Sequence, residues 1–264
     1  MDARRGIDAG DDRRYESGEL GAMTTGLATH VAVVCGGGRG LGASTCKVLA
    51  EAGATVVAAD IQEDLAQKVA ADVSSQGGAC SAAYVDVRDE ASVRTLMEGV
   101  VDEHDALDVL VNSAGFDVTV SIDELSTEDW DRITGVNLRG PFLTCREAFR
   151  VMKGRGRGHI VNIASTAAKR TWANAAGYHA SKWGLLGLTH ALHVEARMHG
   201  VKVTAVVAGG MRTPFLLDRF PDIDTDVLQD PENVARTVLF VLTQPDETVI
   251  PEVMVIPMRE TSWP

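Results

Sequence analysis

The sequence predicts an α/β protein built on a doubly wound parallel sheet, and three observations predict it. Beyond residue 28, short runs rich in Val, Ile and Ala alternate with longer stretches of helical periodicity. The short runs are nearly continuous in apolar residues, the pattern of strands buried on both faces. The chain has 264 residues, 45% of them hydrophobic, enough for one large domain with a sizeable core. Strand–helix alternation of this kind implies right-handed βαβ crossovers, with helices on both faces of the sheet.

The expected strands, about seven in number, are 30–35, 55–59, 81–87, 107–112, 159–165, 201–208 and 253–256. Helical patterns lie between them near 41–52, 62–76, 89–104, 127–153, 176–199 and 231–243. Residues 209–230 contain Gly209, Gly210, Pro214 and Pro221 and read as a long loop with a short helix. Loops of that length are often functional lids. Residues 1–26 carry charges and glycines and no apolar core of a signal peptide. They are expected to be a flexible extension, or to order only on a neighbouring subunit, with Met23 as an alternative start. Residues 27–264 then form a single domain.

Composition narrows the function. Lys plus Arg is 25 and Asp plus Glu is 37, for a net charge of −12. Such a chain is a poor partner for nucleic acid or anionic lipid, and no apolar run reaches membrane-spanning length. Cys35, Cys46, Cys80 and Cys145 are far apart, form no C-x-x-C pair, and read as buried reduced thiols.

The first strand runs into Gly36-Gly37-Gly38-Arg39-Gly40-Leu41-Gly42, and a helix follows. Glycines there permit a turn closed to other residues and let a pyrophosphate approach the main chain. The helix N-terminus offers free N–H groups and a positive dipole end. The second strand ends at Asp60-Ile61, where a carboxylate can take the hydroxyls of an adenosine ribose and repel a 2′-phosphate. Arg39 argues for a 2′-phosphate, but Asp60 is weighed more heavily, so NAD is expected over NADP. Asp86-Val87 closes the third strand beside the expected adenine edge.

Tyr178-His179-Ala180-Ser181-Lys182 places a phenol and an ammonium four residues apart on one helix face. An adjacent ammonium favours the phenolate, so Lys182 is expected to lower the pKa of Tyr178 toward neutrality. Ser165 ends a buried strand, where open α/β sheets bind ligands.

Taken together, these motifs resemble the short-chain dehydrogenase/reductase family from about residue 29 to 256. Asn112-Ser113-Ala114-Gly115 looks like the family's Asn-Asn-Ala-Gly segment, and Asn137, Ser165, Tyr178 and Lys182 match its catalytic tetrad. Gly209, after Ala208, and Thr213-Pro214 resemble the segment beside the nicotinamide. The resemblance implies a Rossmann-like fold and an NAD(H)-dependent oxidoreductase that interconverts a secondary alcohol and a ketone. Tyr178 would be the general acid/base and Lys182 would position the ribose. Ser165 would orient the substrate oxygen, and Asn137 would hold a water in a proton relay. The cofactor contacts it implies are Gly36, Gly38, Arg39, Gly40, Leu41, Asp60, Ile61, Asp86, Val87, Asn112, Ala114, Gly115, Tyr178, Lys182, Gly209 and Thr213. A cytoplasmic homodimer or homotetramer is also implied, packed through the helices near 127–153 and 176–199.

The chain departs from the family pattern in places. Cys35 stands for a Thr in the turn, Ser113 for the second Asn, and Ala208 for a Pro. The C-terminus lacks a Gly-rich ending. Gly140-Pro141, just after Asn137, is expected to disturb the helix and expose a main-chain carbonyl. Phe116, Trp172, Met211, Phe215, Leu216, Leu217 and Phe220 suggest a partly apolar substrate pocket. Lys169 and Arg170 read as solvated loop charges, and His179 as a neighbour of the site. His190, His193, Glu195 and His199 fall on different faces of one helix, so no metal site is expected. Two other readings stay open: an NAD-holding epimerase or dehydratase of the same fold, and a non-catalytic nucleotide sensor.

Overall fold

The structure, a computed structural model, describes residues 26–260. The expectations for the N-terminal extension and Met23 therefore lie outside the described residues. Strands β1 (Val31–Cys35), β2 (Thr55–Asp60), β3 (Ala79–Tyr84), β4 (Val109–Asn112), β5 (Gly158–Ser165), β6 (Val201–Ala208) and β7 (Glu252–Val255) form one sheet. Its order is β3-β2-β1-β4-β5-β6-β7, and every pairing is parallel. The expected Rossmann-like architecture is present.

Alternation along β1 shows why the strands read as continuous apolar runs. Ala32 and Val34 face one core with residues of α1 (Gly40–Glu51), α2 (Glu63–Ser75) and α8 (Pro231–Leu242). Val31, Val33 and Cys35 face the other core, with α3 (Glu90–His104), α5 (Gly140–Arg155) and the end of α6 (Ala176–Ala196). Both faces of the strand are dry, so neither needs polar residues.

Some boundaries differ from the sequence expectation, while the short helix expected in the loop after β6 is present. β3 starts two residues and ends three residues upstream of the expected 81–87, leaving Asp86-Val87 in the turn before α3. The helix expected over 127–153 is α4 (Thr127–Thr134), a π-helical turn over Gly135–Arg139, and then α5. The loop after β6 contains α7 (Pro214–Leu217). The reversal of strand order between β1 and β4 leaves a crevice at the C-terminal strand ends, where open α/β sheets bind ligands.

Candidate active site

A cleft of about 890 Å³ opens at those strand ends, lined from Gly36 and Asp60 at one end to Ser165, Tyr178 and Phe220 at the other. Its first half is shaped by the main chain. Gly36 has φ +81°, and a Cβ on Gly42 would lie 1.9 Å from the Gly36 carbonyl oxygen. Only bare backbone allows the turn to fold this tightly onto α1. The N-cap of α1, Arg39, makes no side-chain capping bond, so no side chain of that residue satisfies the N–H groups of the first turn. This is the donor set an anionic pyrophosphate requires.

Asp60 sits beside the turn. Its Oδ2 accepts the Gly38 N–H at 2.9 Å, and Oδ1 accepts the Gln62 N–H at 3.0 Å. The carboxylate is thus fixed at the cleft wall. The guanidinium of Arg39 lies 3.9 Å from Asp218, both largely exposed. Asp86 is held by its neighbour Arg88 at 2.7 Å, which lowers its pKa.

Most of the expected cofactor residues line this cleft; Gly38 and Asn112 do not. Gly38 turns its N–H to Asp60. Asn112 faces the core: its Nδ2 donates to Asn162 Oδ1 at 2.8 Å, and its Oδ1 accepts from Thr144 at 2.7 Å. These bonds join β4 to β5 and α5, so the residue reads as a strut beneath the site.

At the other end, Ser165 caps a short 3₁₀ turn, accepting the Ala167 N–H at 3.1 Å. It also stands close enough to the Tyr178 hydroxyl to pull its pKa down. Lys182, one turn along α6, is 5% exposed. Its Nζ donates to the Ile163 carbonyl at 2.9 Å and lies 5.7 Å from the Tyr178 ring centre. Ser165, Tyr178 and Lys182 therefore converge on one wall of the cleft.

The electrostatics differ from the sequence expectation. Burial pushes Tyr178 up to about 12, above its ordinary value. The downward pulls come from the Ser165 hydroxyl and the Arg219 guanidinium, while Asp117 adds an upward push. The Lys182 ammonium is turned to a carbonyl, and burial lowers its own pKa to about 8. In this state Tyr178 is a protonated acid.

Asn137 is fully buried and its side-chain amide is engaged three ways. Its Oδ1 accepts the Phe116 N–H at 2.8 Å, and its Nδ2 donates to the Phe116 carbonyl at 2.8 Å and to Ser181 Oγ at 3.0 Å. The amide ties the β4 loop to α6. The expected helix distortion is present as the π turn. Pro141 has no N–H to offer the Asn137 carbonyl four residues before it.

The substrate end is partly apolar. Phe116, Trp172, Met211, Phe215, Leu216 and Phe220 line it, and Leu217 does not. His179 is buried, and its ring joins two segments: Nδ1 lies 2.9 Å from the Ala167 carbonyl, while Nε2 accepts the Trp172 N–H at 3.1 Å. That pairing places the ring proton on Nδ1. Lys169 turns to Glu252 at 2.8 Å, and His190 meets the same carboxylate at 3.1 Å. Burial raises the thiols of Cys35 and Cys145 to about 12, which makes them inert, and Cys80 is half-buried.

Sequence reasoning missed Asp117 and Arg219. They are an ion pair across 102 residues of chain, joining the loop after β4 to the loop after β6. No local spacing signals such a pair.

The comparisons with known proteins bear on this geometry directly. A family model described as short chain dehydrogenase matches residues 30–224. The chain belongs to the short-chain dehydrogenase family. One relative of this short-chain dehydrogenase is the BbsD subunit of (2S)-[(R)-hydroxy(phenyl)methyl]succinyl-CoA dehydrogenase from Thauera aromatica. It is 34% identical over 81% of this chain and 90% of the relative. Trans-4-hydroxycyclohexanecarboxylate dehydrogenase of Sinomonas cyclohexanicum is 37% identical over 71% of this chain and 74% of its own length. A metagenomic short-chain oxidoreductase solved in complex with NADP superposes with a TM-score of 0.78 at 32% identity, covering 88% of this chain and 98% of that one. The chain is thus a member of an oxidoreductase family, with dehydrogenases among its relatives. No described helix is long and apolar enough to cross a membrane.

Proposed function

We propose that this short-chain dehydrogenase is an NAD(H)-linked enzyme that interconverts a secondary alcohol and a ketone. The observation that carries the reading is Tyr178, lining the cleft together with Ser165 and with Lys182 one turn away, at the far end from the glycine turn. When bound, the nicotinamide supplies a two-electron hydride acceptor or donor. The glycine turn and the first turn of α1 would hold its pyrophosphate. The fixed carboxylate of Asp60 would take the adenosine ribose, and Lys182 the nicotinamide ribose.

Ser165 orients the substrate oxygen toward the Tyr178 hydroxyl. In reduction, Tyr178 donates its proton to the oxygen as the C–H bond forms; in oxidation, it takes that proton back. Burial favours the protonated phenol, the form that donates in reduction. Oxidation requires the phenolate, and Lys182, which keeps its charge below about pH 8, is the nearby cation on the same helix face to favour it. Asn137 is a positioning residue, clamping Phe116 and Ser181 around this wall. The apolar lining and the relatives that act on cyclic alcohols favour an alicyclic or arylalkyl substrate. Phe142 on α5 and Trp183 and Val194 on α6 are exposed apolar side chains that suit packing between copies.

Initial rates at 340 nm with NAD(H) and NADP(H) in parallel, over a panel of alicyclic alcohols and ketones, test the reading. The expected result is a kcat/KM at least tenfold higher with NAD, falling to near parity in Asp60→Ala. A wild type that prefers NADP would overturn the cofactor assignment. No turnover with either cofactor would overturn the reaction.

A further inference from the structure

Asp117 stands two residues beyond Gly115 in the loop after β4, and it lines the same cleft as Ser165 and Tyr178. Its side chain is 5% exposed. One carboxylate oxygen, Oδ2, pairs with Nη1 of Arg219. The other, Oδ1, is buried at the cleft wall and makes no hydrogen bond of good geometry; the N–H of Val118, the next residue, is the protein donor that acts on the carboxylate. A buried acceptor without a well-formed hydrogen bond is costly and rare in native interiors. A donor that arrives with a ligand would satisfy it.

The surroundings define that donor. Arg219 is anchored by its own loop: Nε donates to the Phe215 carbonyl at 2.8 Å, and the guanidinium stacks 4.2 Å from the Phe215 ring centre. It is therefore fixed against Asp117 and already balances its charge. A second cation has no net charge to meet, and a substrate carboxylate would face the negative oxygen. A neutral hydroxyl fits: it donates one hydrogen bond and brings no charge. The carboxylate also acts electrostatically on Tyr178 and Lys182, so it stands near the proton-transfer residues. Around it the wall is aromatic, with Phe116, Trp172 and Phe215.

We propose that Asp117, held in place by Arg219, is a specificity residue that accepts a hydrogen bond from a second hydroxyl of the substrate. The preferred substrates are then ring alcohols carrying another hydroxyl, selected over the corresponding mono-alcohols. This rests on the dehydrogenase reading above and names its substrate class.

The test measures kcat/KM for cyclohexanol and for cyclohexane-1,2-, 1,3- and 1,4-diol with the wild type, Asp117→Asn and Asp117→Ala. A diol carries two oxidisable hydroxyls, so a twofold advantage is statistical. The wild type is expected to prefer at least one diol by tenfold or more. Asp117→Ala is expected to bring that ratio down to about two, and Asp117→Asn, which keeps an acceptor oxygen, to hold an intermediate ratio. Loosening of the Arg219 loop acts on both substrate types and cancels in the ratio. A wild-type ratio of two or less overturns the proposal even if the alanine variant fails to fold. So does a tenfold ratio that survives in Asp117→Ala. Turnover of mono-alcohols with no diol preference leaves the dehydrogenase reading standing, whereas no turnover of any alcohol removes both.

Discussion

The two ends of the cleft are built by different means. At the cofactor end, shape comes from the main chain: a turn with φ +81° at Gly36 and a contact at Gly42 that leaves no room for a Cβ. At the substrate end, shape comes from side chains that reach between loops, such as Asp117 to Arg219, His179 to Trp172 and Asn137 to Phe116. Backbone cradles tolerate little change, because any added atom displaces the chain itself. Side-chain struts can be exchanged one at a time, which lets a substrate pocket vary over a constant cofactor site.

Substitutions at the two ends should therefore fail differently. The largest effect is expected from Gly42→Ala, whose Cβ would stand 1.9 Å from the Gly36 oxygen. It should abolish cofactor binding in a fluorescence titration, while circular dichroism retains the helix signal. Binding within tenfold of the wild type would break the comparison, since the turn would then be adaptable.

β5 carries Ser165 and joins β4 to β6 in the middle of the sheet, and His159 near its start offers a way to disturb the frame beneath the site. The ring is buried, with Nε2 2.8 Å from Thr204 Oγ1. Burial lowers its pKa from 6.5 to about 3. Between those values the unfolded chain binds the extra proton, so stability is present above pH 6.5 and is lost as pH falls toward 3. The loss is on the order of a few kcal/mol. Urea midpoints followed by cofactor binding and by near-ultraviolet circular dichroism should fall in step over this range. The fall should be shallower in His159→Gln.

A smaller effect is expected from His179→Ala, which frees the segment carrying Trp172. One or two hydrogen bonds of about 1 kcal/mol each correspond to a KM raised roughly tenfold. Cofactor affinity should stay within twofold, and a parallel loss of it would show that the two ends are not independent.

The same contrast explains what the sequence made legible. Strands buried on both faces, glycines at fixed offsets, and Tyr178 and Lys182 one turn apart are local patterns, and the structure places them as read. The break at Gly135–Arg139 was legible as well, from Pro141. Asp117 and Arg219 were not, because their pairing depends on how two loops fold over the sheet. Asn112 was read toward the cofactor and lies in the core, since a motif match does not tell which way a strand-end side chain points. The pKa of Tyr178 is a related case. Spacing brought Lys182 close, but burial and the Ile163 carbonyl decide what its charge does.

The central claim is that Tyr178 moves the proton while the glycine turn and Asp60 hold the cofactor. Tyr178→Phe tests it most directly, with turnover and cofactor affinity measured on the same preparation. A fall in kcat of about a thousandfold or more, with the NADH dissociation constant within threefold of the wild type, is the predicted result. Turnover that survives loss of the hydroxyl would contradict it.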